Sequence, residues 1–110
     1  MSKIDTQIEL GSDNVYADIG IQDAEAMLFK ANLSSKITEI IKHRNLTQNE
    51  AASIVGMPQS KLSNMLRGQF RGISEFKMLH CLNKLGQDIE ILVKKAPPNK
   101  SIGKTSIVFA

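Results

Sequence analysis

The stretch from Gln48 to Arg67, QNEAASIVGMPQSKLSNMLR, constrains the fold of this chain more than any other part of it. Just before it, Thr47 with Glu50 three residues later forms a capping-box pattern, in which hydroxyl and carboxylate satisfy the orphan amides at a helix start. The helix so opened is short. It runs through Ala51, Ala52 and Val55 to Gly56, which can adopt the left-handed conformation that ends a helix without steric cost. Pro58 then suits the first turn of a second helix, where a missing amide hydrogen does no harm. With Gln48 as the first position, Ala52 is the fifth and Gly56 the ninth. The fifth must be small because the second helix passes over it, and the ninth favours glycine because the turn is tight. Ala51, Val55, Met57, Leu62 and Met65 fall where two helices crossing at about 90–120° bury their contact.

Such a pair needs other helices to pack on. From Asp23, read as an N-cap, Ala24, Met27, Leu28 and Ala31 stack on one side, and Leu33, Ile37, Ile40 and Ile41 continue at helical spacing to Arg44. Lys42 and Arg44 suit the dipole at that end, and Asn45 terminates the helix. The second helix of the pair buries Leu62, Met65 and Leu66 and ends at Gly68. After Ser74 as N-cap, a further run of Phe76, Leu79, Leu82 and Leu85 stops at Gly86. Residues 88–94 change period: Ile89, Ile91 and Val93 alternate with Asp88, Glu90 and Lys94, as in a strand. A strand needs a partner, and the simplest is the same strand of a second copy, giving a homodimer interface of Ile89, Ile91, Leu92 and Val93. Leu92 breaks the polar face, as an additional partner surface or plain intramolecular packing would require. The expected fold is mainly all-α, a helical bundle with one C-terminal β-strand paired across the dimer. Residues 1–22 read as an acidic, partly flexible arm, 23–94 as the domain, and 95–110 as a flexible tail whose tip, Ile107 to Phe109, is either idle or docked.

A chain of 110 residues supports one core. Its net charge of +3 is unevenly spread: Met1 to Ala26 carries six acids against Lys3, and the remainder thirteen Lys or Arg against five acids. The body is basic, as a phosphate-binding surface requires. The single cysteine, Cys81, excludes an intramolecular disulfide and sits in an apolar helical run where a small hydrophobe would serve, which fits a cytoplasmic location. No run approaches the roughly 18 apolar residues of a membrane span, and no signal-type apolar region opens the chain, so no membrane partner is expected. The two histidines, His43 and His80, lack metal-ligand spacing, and no phosphate loop, nucleotide fingerprint or nucleophile elbow is present. Neither an enzyme nor a bound cofactor is expected.

With Leu62, Met65 and Leu66 facing the core, the second helix turns Gln59, Ser60, Lys61, Ser63, Asn64 and Arg67 outward. Gln and Asn pair bidentately with adenine and Arg with guanine, each good pair discriminating by about 1–3 kcal/mol, while Lys61 also serves phosphate. Gln48 at the start of the preceding helix is placed for a phosphate, and Arg71 and Lys77 are read as either phosphate contacts or plain surface. The whole block resembles the helix-turn-helix of lambda-repressor-like (XRE-family) regulators. The resemblance extends to Asn14–Leu33, Ile37–Ala52, the RGQFRGIS stretch and Leu82–Lys94, which look like HigA-like antitoxins. It implies five or nearly five helices followed by a strand, a double-stranded operator in the chain's own promoter, and a RelE/HigB-like ribonuclease toxin as partner. The acidic segment from Asp5 to Glu25 then covers the basic toxin or simply aids solubility. Two rival readings share much of this pattern, a stand-alone phage-type repressor and a protein-interaction module without DNA binding.

Overall fold

The computed structural model describes residues 14–99 and 102–110, with side chains from Asp23 onward. Residues 1–13, most of the expected acidic arm, lie outside the described residues. Among the described residues four helices follow in order, α1 Asn14–His43, α2 Gln48–Val55, α3 Gln59–Leu66 and α4 Glu75–Lys84. The resemblance implied five or nearly five, but α1 is one continuous helix of 30 residues. It begins at Asn14, so Asp23 lies within it and caps nothing.

Lys30, Leu33, Ser34, Ile37, Ile40 and Ile41 recur at spacings of three and four, which places them on one face of α1, and that face is buried. Onto it pack α3 and α4, while α2 packs on α3 and α4. Leu33, Ile37, Ala51, Val55, Leu62, Met65, Met78 and Cys81 meet at the centre of the core. Toward its N-terminal half the expected stripe on α1 shifts. Met27 and Phe29 are half-buried, while Ala24 and Ala31 are exposed and Leu28 is 63% exposed. Helical phase is the reason: the stripe that ends in Leu33 and Ile37 passes through Phe29 and Lys30, not Leu28. In α4 the same one-residue ambiguity arises. Met78, Cys81, Leu82 and the following Leu85 are buried, whereas Phe76 is 78% exposed. Both expectations had followed apolarity where the backbone follows angle.

The caps agree with the residues that form them. Thr47 Oγ1 accepts from the Glu50 amide at 3.0 Å, and the Glu50 carboxylate accepts from the Thr47 amide at 2.8 Å. Ser74 Oγ accepts from the Lys77 amide at 3.1 Å. Asn45 ends α1 at φ 55°, and Gly56 closes α2 at φ 77°. Pro58 stands one position before α3, as its N-cap rather than in its first turn.

No strand is formed among the described residues, so the strand expected over 88–94 is not seen in the single chain. A ladder is made between two segments, and no backbone hydrogen bond among the described residues involves 88–97. The segment runs beside the tail instead: residues 89–94 and 104–108 line one cavity with Phe29 and Leu79. Ile89 and Ile107 both pack on the core, and Lys36 Nζ sits 5.3 Å from the centre of the Phe109 ring. Of the apolar tip, Ile107 is thus docked and Phe109 lies beside Lys36, while Val108 is 88% exposed.

Replacing buried Ile37 by alanine should cost about 2–5 kcal/mol in urea unfolding, whereas Leu28→Ala should stay within roughly 0.5 kcal/mol. The opposite order would put the core on the other face of α1.

Candidate nucleic-acid interface

The helix pair α2–α3 is placed by contacts that apolar spacing alone does not predict. Ser34 of α1 donates its hydroxyl to the Met65 carbonyl at 3.0 Å, in a buried contact near the end of α3. One turn earlier, the buried Lys30 ammonium donates to the Arg71 carbonyl at 3.1 Å and lies 3.5 Å from that of Phe70. These two side chains tie the C-terminal end of α3 and the loop after it to α1. Sequence reasoning missed both, although their signal was present: a Ser and a Lys four residues apart on the otherwise apolar face. At the far end of α1, Arg44 donates to the Leu85 carbonyl at 3.3 Å and so joins the ends of α1 and α4.

Held this way, α3 buries Leu62 and Met65, leaves Leu66 half-buried, and turns its polar residues outward. Gln59, Ser60, Lys61, Asn64 and Arg67 are exposed, and Ser63 is partly so. They fall into two groups. At the start of the helix, Gln59 Nε2 donates to Gln48 Oε1 at 2.8 Å, linking the first residues of α2 and α3 across the turn. Gln48, expected alone beside a phosphate, thus presents its free amide together with Gln59. Near the other end, the Arg67 guanidinium donates to Ser63 Oγ at 2.9 Å and to Asn64 Oδ1 at 2.5 Å. Three of the expected residues form one hydrogen-bonded cluster on the surface.

Arg71 stands apart from both groups. Its guanidinium pairs with the Asp23 carboxylate at 2.8 Å, both side chains being well exposed. Asp23, expected as a helix cap, thus pairs with Arg71, for which a phosphate contact and plain surface were both open. Lys77 is half-buried on α4. Electrostatically α3 is one-sided, because no acid occurs between Glu50 and Glu75 while Lys61 and Arg67 do, Arg71 being already paired with Asp23. α3 also starts without a side-chain cap, so the positive end of its dipole is left uncompensated by any side chain. A surface with forked amide and guanidinium donors and no carboxylate is chemically matched to an anionic polymer with exposed acceptors.

Two short helices at a left-handed glycine, the second exposed and polar along its outer face, define a helix-turn-helix domain. A family model for the helix-turn-helix domain matches residues 15–94. A solved structure described as an XRE family transcriptional regulator superposes with a TM-score of 0.74 at 32% sequence identity, covering 80% of this chain and 99% of that one. The chain belongs to the helix-turn-helix domain family and is of XRE type. A search of curated proteins gave no match.

Cys81, His43 and His80 do not join this surface. The two histidines are exposed, and Cys81 is fully buried. Burial pushes the Cys81 thiol up from its ordinary value, against a smaller lowering by the Lys77 charge. An unfolded thiol ionises first as pH rises, so this contribution to stability is intact below about pH 8.5 and declines above it. Urea midpoints of the wild type and Cys81→Ala should therefore run parallel at neutral pH. Above that range the wild type alone should show the additional fall.

Proposed function

We propose that this chain is a transcriptional regulator that binds double-stranded DNA as a homodimer and reads bases in the major groove with α3. The observation that carries the reading is the outward row of Gln59, Ser60, Lys61, Ser63, Asn64 and Arg67, on an acid-free segment held to α1. The first residues of such a helix meet base edges, and the Gln48–Gln59 pair at its start lies where the preceding helix meets a phosphate. Arg67, already oriented by Ser63 and Asn64, suits a guanine edge. The test is fluorescence anisotropy against the chain's own promoter duplex and a scrambled duplex at two salt concentrations. Tight binding that weakens with salt is expected for the promoter, with Ser63→Ala and Arg67→Ala each reducing the preference by about 1–3 kcal/mol. Equal and feeble binding to both duplexes would move the reading to a protein-interaction module.

We further propose that the regulator is the antitoxin of a toxin–antitoxin pair, with a RelE/HigB-like ribonuclease as its partner and its own promoter as its operator. Two observations support a basic protein partner. Met1 to Ala26 carries six acids against one lysine. A groove lined by Ala26, Phe29 and Phe76 also has Glu25 and Glu75 on its walls, which pairs apolar anchors with negative charge. An RNA-cutting protein must be basic to hold its substrate, and this surface complements one. A pull-down with such a toxin should weaken when Asp5, Glu9 and Asp13 are changed together to their amides. Unchanged capture would leave the acidic segment no part in it. No capture of the toxin by the wild type would favour a stand-alone repressor.

A further inference from the structure

Residues 88–95 read Asp-Ile-Glu-Ile-Leu-Val-Lys-Lys, with acids at one end and lysines at the other. One side of this extended segment is already engaged, since Ile89 packs on the core and residues 104–108 lie along the same cavity. Ile91, Leu92 and Val93 nevertheless stay 75%, 83% and 89% exposed. A run of apolar side chains on backbone that lacks a ladder calls for a pairing partner.

The order of the charges identifies that partner. Parallel pairing with a second copy sets like charges side by side, whereas antiparallel pairing brings the acids of one copy to the lysines of the other. Face alternation then narrows the register, because directly opposite residues share a face. A two-fold axis at Ile91 leaves Glu90 opposite an apolar leucine, and an axis at Val93 sets Leu92 opposite a lysine. An axis at Leu92 sets Glu90 opposite the partner's Lys94, Ile91 opposite the partner's Val93, and Leu92 opposite the partner's Leu92; its one apolar–charged pair, Ile89 with the partner's Lys95, falls at the ribbon ends, where Ile89 already packs on its own core. It also accounts for the lone apolar residue among Asp88, Glu90 and Lys94: Leu92 covers its own symmetry mate. We propose that residues 88–95 form an antiparallel ribbon with a second copy of the chain, in the register centred on Leu92. This rests on the homodimer reading above and specifies its geometry.

Sedimentation equilibrium on the full chain tests it with Glu90→Lys, Lys94→Glu and the double reversal. Each single change sets like charges opposite one another at two symmetric positions and should weaken dimerisation about tenfold, while the double reversal should restore it. Leu92→Cys should form a covalent dimer under mild oxidation, since opposite Cβ atoms lie about 4.5–5.5 Å apart. Val93→Cys should not, its symmetry mate being about 7–8 Å away on the diagonal. The native Cys81 is buried and does not compete. A full chain that remains monomeric at every concentration overturns the homodimer reading itself. A dimer in which the double reversal recovers nothing, and Val93→Cys cross-links as well as Leu92→Cys, overturns only the register.

Discussion

Neither α2 nor α3, at eight residues each, is long enough to persist as a helix in water, because nucleation costs more than so few propagation steps return. Their stability comes from the core they share with α1 and α4, and their mutual angle comes from the turn at Gly56. That residue sits at φ 77°, and a Cβ built on it would meet no other atom within 4 Å. The demand for glycine there is thus one of backbone conformation alone, not of space. Once the turn is set, α3 can bury Leu62 and Met65 only by directing Gln59, Lys61 and Asn64 outward. The polar outer row is a geometrical by-product of the way this short helix satisfies the core.

The parts of the fold that were legible in the sequence are those governed by local stereochemistry. Thr47 with Glu50, Gly56 and the Ser74 cap each concern a few neighbouring residues, and the structure forms each of them. The start of α1 was not legible, because Asp23 has the residue type of an N-cap although the helix already runs from Asn14. The inner face of α1 and of α4 was only partly legible. Leu28 and Phe76 are apolar residues next to the buried stripe, and only the packing partners decide which side is inward.

For the candidate interface, residue types were readable and their connections were not. Gln48, Gln59, Ser63, Asn64 and Arg67 were recognisable as exposed polar residues at helical spacing. That they join into two hydrogen-bonded groups depends on side chains meeting across the turn or along one helix face. Arg71 needed the tertiary structure, since its partner Asp23 is far away in sequence and is brought close only by the packing of α1 on the loop after α3. The extended segment after α4 marks another limit. A strand is a relation between two segments of backbone, and the alternation of residues 88–94 describes only one of them.

The bonds that Arg67 makes to Ser63 and Asn64 bear on whatever binds this helix. A guanidinium waving freely in water is captured by any acceptor, at the expense of its rotameric freedom. Here that freedom is already reduced, and two acceptors are already in place, one of them the side-chain oxygen of an adjacent amide. A guanidinium carries five N–H donors, so a ligand can add acceptors to those left over while Ser63 and Asn64 keep hold of the other two. The entropy of fixing the side chain is then lost in part before any encounter, and the direction in which the remaining donors point is set by the helix itself.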